Sequence, residues 1–199
     1  MTAIMRYDAE HKQQTRERLL KEAAKAIRRE GPHKLSVAGV MAKAGLTHGG
    51  FYAHFKNRDE LVAEGVAQMF RESAGRFAQS VEGRTPREAL LDYVDFYLSA
   101  AHRDARSSGC PLPFLSADAP RLPTAARARF SEGVRGLEDR VAGQLSAIGR
   151  RDAHAEAGSL IAELVGALAL ARAEPDRDRA DAMLARSRDR IVDRFDLTA

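Results

Sequence analysis

Cysteine and aromatic residues are scarce in this 199-residue chain, and each shortage excludes a class of protein. A single cysteine excludes an internal disulfide framework and a cysteine-based metal cluster, and it fits a reducing cytoplasm. Aromatic residues make up 6% of the chain, tryptophan is absent and runs of β-branched residues are nearly absent. Because alanine, arginine, leucine and glutamate are abundant instead, the composition favours an all-α fold.

Membrane segments and secretion signals are not predicted either. The N-terminus, residues 1–11, is polar and lacks the apolar region of a signal peptide. The longest nearly uncharged run, residues 157–171, is interrupted by Glu163 and is too short to span a bilayer. We interpret this run as a buried helix, expect no membrane partner and expect a cytoplasmic protein.

Motifs of the common enzyme classes are missing from the sequence. It contains no P-loop, no dinucleotide-binding glycine fingerprint, no Gly-x-Ser-x-Gly and no His-Glu-x-x-His. Cys110 with a remote histidine is too little to indicate a catalytic pair. We therefore expect no enzymatic activity, no cofactor and no metal site.

Positive charge is concentrated in the first third of the chain. Residues 1–60 hold 12 Lys+Arg and 7 Asp+Glu, whereas the formal net charge of the whole chain is only +4. Four of the six histidines also lie in this segment. Such a basic head on a near-neutral body is typical of a phosphate-binding module joined to another unit. A solvated charged surface explains the same asymmetry equally well.

Apolar spacing and capping residues predict helices along the whole chain. Asn57 and Glu60 form a capping box before the helix predicted at residues 57–81. Thr85 and Glu88 form another before a strongly apolar helix that we expect at the centre of the body. The predicted helices cover residues 12–30, 37–44, 48–54, 57–81, 86–104, 124–148, 152–173 and 175–195, with a loop at 107–113 and one turn at 114–119. The fold class is therefore all-α, with an N-terminal three-helix head, residues 12–75, and a C-terminal helical domain, residues 84–199.

The second and third predicted helices, joined by a short turn at residues 44–47, form a helix-turn-helix. Residues 36–61 read SVAGVMAKAGLTHGGFYAHFKNRDEL. This segment resembles the TetR family of transcriptional regulators, whose pattern is roughly Thr-x-x-x-Ile-Ala-x-x-Ala-Gly-Val-Ser-x-Gly-x-Phe-Tyr-x-His-Phe. The resemblance extends over about residues 12–75. Departures are Ser36 for threonine, Val40-Met41 for Ile-Ala, and Arg58 where lysine is usual.

A helix-turn-helix places the start of its second helix at base edges and the flanking residues at phosphates. We expect His48 to contact a base edge and Tyr52, His54 and Lys56 to contact phosphates. Ser36 and Thr47 are predicted N-caps, and the backbone N–H groups that they expose can bind phosphate. Paired glycines let a backbone approach DNA closely. Half-exposed polar residues and a plain loop junction are the alternatives. The expected DNA-binding residues are Ser36, Thr47, His48, Gly49, Gly50, Tyr52, His54 and Lys56.

Five aromatic residues are clustered on the central helix, the following loop and the next helix. Together with the family resemblance, which supplies most of the argument, they indicate a pocket for a small apolar effector with a few hydroxyl groups; the residues alone also fit an ordinary core. The five residues are Tyr93, Phe96, Tyr97, Phe114 and Phe130. Cys110 nearby fits a redox sensor, but a small buried apolar residue is the favoured interpretation.

Small residues repeat every fourth position in the helix predicted at residues 152–173. Their spacing lets another helix approach closely, so this helix and the last one predict a four-helix homodimer interface. Intramolecular packing alone is the alternative, and Glu163 is expected to be a paired structural carboxylate. The expected interface residues are Gly158, Ala162, Gly166, Leu184 and Ile191.

The resemblance implies a homodimeric repressor that binds a pseudo-palindromic DNA operator and is released by an effector. In this mechanism the two heads bind adjacent major grooves at one spacing, and the ligand favours another. A helical DNA-binding or protein-interaction module without a small-molecule ligand is the alternative.

Overall fold

The computed structural model describes the backbone of residues 2–198 and the side chains of residues 10–198, and in this part of the chain every regular element is helical. The α-helices are α1 Thr2–Glu30, α2 Val37–Lys43, α3 Arg58–Val81, α4 Pro86–Tyr97, α5 Ala100–Asp104, α6 Leu112–Leu115, α7 Thr124–Ala147, α8 Ala153–Ala173 and α9 Arg177–Phe195. Short 3₁₀ helices cover Pro32–Lys34, His48–Ala53 and Ala119–Arg121. The predicted all-α fold is confirmed.

The head consists of α1, α2 and the 3₁₀ helix His48–Ala53, which we call the recognition segment. Apolar residues of α1 face inward, and Leu20, Ala23, Ala24 and Ile27 are all buried as their spacing predicts. α1 packs against both α2 and α3, and α2 packs against the recognition segment. α1 begins at Thr2, so the prediction that it starts near residue 12 is wrong by almost three turns.

The body consists of α4 to α9, and α3 is shared between head and body because it packs against α1, α4 and α7. α7 packs on α8, and α8 packs on α9. The predicted capping box before α4 is confirmed, since the Thr85 side chain accepts from Glu88 N and the Glu88 side chain accepts from Thr85 N. The C-terminal end of α9 is tied back to α4, where Arg87 donates to the carbonyl of Phe195 at 3.4 Å.

The central helix ends at Tyr97, seven residues before the predicted end, and α5 follows as a separate short helix. Ser99 causes this break: its Oγ accepts a hydrogen bond from His102 N at 3.1 Å and donates one to the Phe96 carbonyl at 2.8 Å. A serine in this position caps a new helix and interrupts the previous one. The prediction of one helix over residues 86–104 is therefore wrong.

α8 has 21 residues and is long and apolar enough to cross a membrane, which corrects the expectation that this run is too short. Helices at the core of soluble proteins have the same composition. α8 packs against α6, α7 and α9, yet only 28% of its most apolar window is buried within the chain. Glu163 on α8 accepts from Arg194 Nη2 at 2.7 Å, so the expected pairing of this carboxylate is confirmed. One side of α8 is thus apolar and uncovered by this chain.

Candidate nucleic-acid interface

The turn between α2 and the recognition segment requires a glycine. Gly45 has φ +73°, in the left-handed region that other residues enter at a cost. Leu46 N donates to the Met41 carbonyl at 2.9 Å, and Gly45 N donates to the Ala42 carbonyl at 3.0 Å, which closes the C-terminus of α2. The turn therefore fixes the direction in which the recognition segment leaves α2.

Ser36 and Thr47 occupy the two predicted N-cap positions. Ser36 Oγ accepts a hydrogen bond from Gly39 N at 3.2 Å, as a serine cap does. Thr47 has the extended backbone of a cap, but its side chain makes no capping hydrogen bond. The segment it precedes is a 3₁₀ helix of six residues rather than the expected α-helix. Thr47 and His48 are both exposed at the leading end of this segment.

Tyr52 lies on the outer side of the recognition segment with 72% of its surface exposed. Its ring makes an edge contact with the buried Phe51, with centroids 5.3 Å apart. Phe51 in turn stacks on Phe55, which is also buried, so these two residues form the core face of the segment, as their spacing of four residues predicts. A large aromatic side chain that gains so little burial from its own fold is available to an external surface.

Gly49 and Gly50 are not required by the packing of the chain. A Cβ added at Gly49 would meet no atom within 4 Å, and one added at Gly50 would make ordinary contact with Met41 Cε at 3.6 Å. Both residues have negative φ, so another residue could adopt their backbone conformation. The fold gives no reason for two glycines here, although each weakens helical structure.

His54 and Lys56 follow at the trailing end of the segment, and they differ in environment. The His54 ring is half-buried and its Nδ1 is buried without a hydrogen-bond partner. Burial, together with the positive charges of Lys12 and Arg16, lowers the pKa of His54, which keeps the imidazole neutral near pH 7. The Lys56 side chain is exposed, and its backbone N–H donates to Glu60 Oε2 at 2.6 Å.

Asn57 caps α3 by accepting a hydrogen bond from Glu60 N at 2.9 Å, as predicted. The Glu60 carboxylate returns its bond to the N–H of Lys56 rather than to that of Asn57, so the expected capping box is displaced by one residue. This pair of bonds holds the backbone of Lys56 at the N-terminus of α3.

Arg58 is a structural residue of this site that the sequence did not single out for this role. Its guanidinium donates to three backbone carbonyls of the connection between α1 and α2: Pro32 at 2.6 Å, His33 at 2.9 Å and Leu35 at 3.0 Å. Because an arginine offers five donors in one plane, a single side chain can satisfy several carbonyls at once. Arg58 thereby fastens the N-terminus of α3 to the start of α2.

Arg28 connects the head to the body and was likewise missed. It is 4% exposed, near the end of α1. Its Nη1 donates to Glu72 on α3 at 2.7 Å, its Nη2 to the Met69 carbonyl at 3.4 Å, and its Nε to the Gly109 carbonyl of the body at 3.2 Å. A local sequence pattern could not reveal these bonds, since their acceptors are 41 to 81 residues away.

The five aromatic residues expected to line an apolar pocket do not meet in one cavity. Tyr93 and Tyr97 are each 1% exposed and touch edge-on at 5.8 Å, so they belong to the core. Phe96 stacks on His102 at 4.9 Å, and Phe130 makes an edge contact with Phe70 at 5.7 Å. Phe114 alone of the five lines the cavity between α1, α5, α8 and α9, where the Arg172 guanidinium lies 4.1 Å above its ring. Cys110 is buried and burial raises the pKa of its thiol, which favours the apolar over the redox interpretation.

The residues expected at a dimer interface divide into two groups. Ala162 is exposed and Gly166 half-exposed on α8, and a Cβ added at Gly166 would meet no atom within 4 Å. Leu184 and Ile191 are 2% and 0% exposed within the chain itself, so they pack in its core and are not available to a partner. That part of the prediction is wrong. Gly158 is half-buried, and a Cβ added to it would lie 3.9 Å from Glu138 Oε1.

The head is similar to a known family of proteins. Residues 19–64 match the family model of bacterial regulatory proteins of the tetR family. Comparison with curated proteins gave no match.

Several solved structures share the fold over nearly the whole chain. A TetR-family transcriptional regulator from Agrobacterium tumefaciens superposes with a TM-score of 0.77 at 24% identity, covering 92% of this chain and 98% of that one. A TetR transcriptional regulator from Chloroflexus aurantiacus gives 0.77 at 22% identity, covering 92% and 96%. The reduced form of E. coli NemR gives 0.76 at 19% identity, covering 88% and 96%. The resemblance stated for residues 36–61 is therefore confirmed: the head carries the helix-turn-helix of the TetR family, and the chain has the fold of TetR-family transcriptional regulators.

Proposed function

We propose that this protein is a cytoplasmic, homodimeric repressor that binds a pseudo-palindromic DNA operator and is controlled by an effector. The observation that carries the proposal is Tyr52, an aromatic side chain 72% exposed on the recognition segment and close in sequence to the exposed Lys56. A phenol and an ammonium group at the end of a helix-turn-helix are suited to contact phosphates of one DNA backbone.

The recognition segment supplies two kinds of contact in this proposal. Thr47 and His48 at its leading end read base edges, because helix-turn-helix proteins present this end to the major groove. Tyr52 and Lys56 at its trailing end contact phosphates and position the segment. Gly49, whose Cβ position is open in the free chain, lets the backbone approach the groove. His54 has a smaller role, since its ring is half-buried and neutral.

Dimerisation is proposed to use the uncovered side of α8. Its centre is Ala162 and Gly166, and Leu170, one turn further along the helix, is 62% exposed and extends the apolar strip. Two copies of α8 and α9 related by a two-fold axis form a four-helix interface and bury this apolar strip. The two heads then stand apart, and they reach successive major grooves when their separation is about 34 Å.

Release from DNA follows from the connection between head and body. An effector that binds better to a different spacing of the heads lowers the affinity for DNA by its differential binding energy. The apolar character first expected for the effector is not part of this proposal, because Tyr93, Tyr97 and Phe130 are packed in the core or against neighbouring rings. The alternative, a module without ligand, predicts that no small molecule raises the melting temperature in a thermal-shift screen.

DNA binding is tested by selecting genomic fragments on the purified protein and measuring fluorescence anisotropy against salt. We expect dimer binding to a pseudo-palindrome with affinity falling steeply as salt rises, because counterions leave the neutralised phosphates. Lys56→Ala should reduce the salt slope by about one and leave sequence preference intact. His48→Ala should cost about 1–3 kcal/mol on the selected site and much less on random DNA.

Arg127→Ala is the matched control, since Arg127 is exposed on α7 of the body and has no ion pair among the described side chains. It removes one positive charge, as Lys56→Ala does, and should leave the salt slope unchanged. Binding that is independent of salt, or absent for every genomic fragment, would refute the proposed function. Equal losses on selected and random DNA in His48→Ala would assign His48 to positioning instead of base reading.

A further inference from the structure

The cavity between head and body has a volume of about 660 Å³. Its walls come from the last turn of α1, from α5 with the loop that follows it, from Phe114, from the end of α8 and from the start of α9. Ligand cavities for small molecules have volumes of roughly 300–1,000 Å³. The cavity is thus large enough for a metabolite-sized ligand and lies where α1 meets the body.

Its lining is strongly cationic. Two acidic residues, Asp104 and Glu174, line it together with six arginines. The arginines are Arg28, Arg29, Arg103, Arg106, Arg172 and Arg177. Neither the proposed DNA binding nor the proposed dimerisation uses this cluster of guanidinium groups.

Carboxylates of the chain neutralise only half of these arginines. Asp104 pairs with Arg103 at 3.0 Å and with Arg177 at 2.8 Å, while Glu72 pairs with Arg28 at 2.7 Å. Glu174 is engaged outside the set, by an arginine of α9 at 3.4 Å. The remaining three, Arg29, Arg106 and Arg172, have no carboxylate partner among the described side chains.

Arg172 is held in place without a counter-charge. Its Nε donates to the Arg103 carbonyl at 3.1 Å and its Nη2 to the His102 carbonyl at 2.9 Å, and its plane lies over Phe114. Its Nη1 is buried and has no hydrogen-bond partner. Burying a guanidinium is costly unless an anion compensates it. The desolvation also lowers the pKa of Arg172, as expected for a cation without a nearby anion.

We propose that this cavity binds a small organic polyanion carrying two or more carboxylate or phosphate groups, with Arg29 and Arg106 as its primary ligands and the uncompensated charge of Arg172 in the wall behind them. Guanidinium groups bind such oxyanions through paired hydrogen bonds. Phe114 and Pro175 offer apolar surface for the carbon skeleton of the ligand. Because Arg28 and Arg29 end the first helix of the head, the anion changes the position of the head relative to the body; this regulatory part rests on the proposed function.

Binding is tested by isothermal titration calorimetry with citrate, inorganic pyrophosphate and, as a monoanion, acetate, at constant ionic strength. We expect citrate or pyrophosphate to bind once per chain and acetate not to bind; the two polyanions separate the carboxylate from the phosphate source. The double variant Arg29→Gln/Arg106→Gln should weaken binding at least tenfold. Arg29 and Arg106 are exposed and form no ion pair among the described side chains, so the fold of the variant is expected to remain intact.

The matched control is Arg127→Gln/Arg151→Gln, which removes two exposed arginines of the body outside the cavity and should change affinity less than twofold. No binding of either polyanion, or equal binding by all three proteins, would overturn the site. If the cavity variant instead loses affinity and salt slope for DNA without ligand while the control does not, the arginines contact DNA and the proposal is likewise overturned.

The regulatory part is tested by DNA affinity with and without the bound polyanion. We expect a change of at least threefold in the unaltered protein and in the control, and none in the cavity variant. An unchanged DNA affinity at saturating polyanion would overturn regulation. Failure of the unaltered protein to bind any DNA would refute the proposed function alone, because calorimetry measures the site without DNA.

Discussion

Stability should depend on pH through His102, a histidine that is 2% exposed. Its Nδ1 lies 2.9 Å from the Tyr97 carbonyl, and its Nε2 accepts a hydrogen bond from Cys110 N–H at 3.2 Å. Only the neutral tautomer with a proton on Nδ1 makes both bonds. A second proton would break the bond to Cys110 and leave a charge in the core.

Burial, with the nearby charges of Arg172 and Arg28, lowers the pKa of His102 to about 4, although the bond to the Tyr97 carbonyl opposes this change. Above pH 6.5, the ordinary value, the ring is neutral in both the folded and the unfolded chain. Between pH 6.5 and 4 the unfolded chain binds a proton that the folded chain does not, so the free energy of unfolding falls as pH falls. The loss by pH 4 is about 3 kcal/mol, since each pKa unit corresponds to about 1.4 kcal/mol.

His102→Asn separates this titration from the many carboxylates that also protonate. Asparagine can still donate to the Tyr97 carbonyl, but it cannot titrate and leaves Cys110 N–H without its acceptor, at a cost of about 1–3 kcal/mol at pH 7. We expect urea denaturation, followed by circular dichroism at pH 7.5, 6, 5 and 4, to show that the unaltered protein loses about 3 kcal/mol more stability toward pH 4 than the variant, so that its initial advantage disappears or reverses. His154→Asn, at an exposed histidine, is the control and should run parallel to the unaltered protein. Parallel curves for His102→Asn as well would refute the reasoning.

Substitutions at glycines and at Arg58, which holds the N-terminus of α3, test the other structural assignments. Gly45→Ala forces alanine to φ +73° and should lower the free energy of unfolding by about 1–2 kcal/mol in urea denaturation. Gly49→Ala should instead leave stability equal or higher and reduce DNA affinity at least tenfold. Unchanged DNA affinity in Gly49→Ala would show that the backbone does not approach the groove. Arg58→Met removes donors to three carbonyls and should lower stability by about 2–3 kcal/mol; an unaltered midpoint of urea denaturation would contradict this role of Arg58. A Cβ added at Gly166 or at Gly143 meets no atom of the free chain within 4 Å. Sedimentation should therefore detect monomers or aggregates for Gly166→Leu, while Gly143→Leu stays dimeric; a dimer at unchanged stability in both would place the interface elsewhere.

Features that depend on neighbours in sequence were predictable. Ser36, Asn57 and Thr85 cap helices because each side chain reaches an N–H three residues ahead, and that relation is visible in the sequence. The apolar stripe of α1 was predictable for the same reason, because helical spacing fixes which residues share a face. The family motif added the hypothesis that residues 48–53 recognise DNA, which periodicity alone did not supply.

Features that depend on distant parts of the chain were not predictable. Apolar spacing indicated that Leu184 and Ile191 are buried, but it could not tell whether this chain or a partner covers them. The same spacing predicted that the central helix continues through Ser99, but the Ser99 side chain caps a new helix there. The roles of Arg28 and Arg58 depend on carbonyls at least 23 residues away, which no local pattern identifies.

The 24 residues of α3 form one uninterrupted helix, about 36 Å long, that begins beside the recognition segment and ends inside the body. Phe77 in its last turns contacts Tyr93 of α4 at 4.8 Å, while Val66 and Met69 nearer its middle are fully buried. A protein shortened to the head at residue 75 would therefore lose the last turns of a helix that the body also needs. Head and body should melt in a single transition, and exchanging the head between chains of this fold requires transplanting the whole of α3 with it.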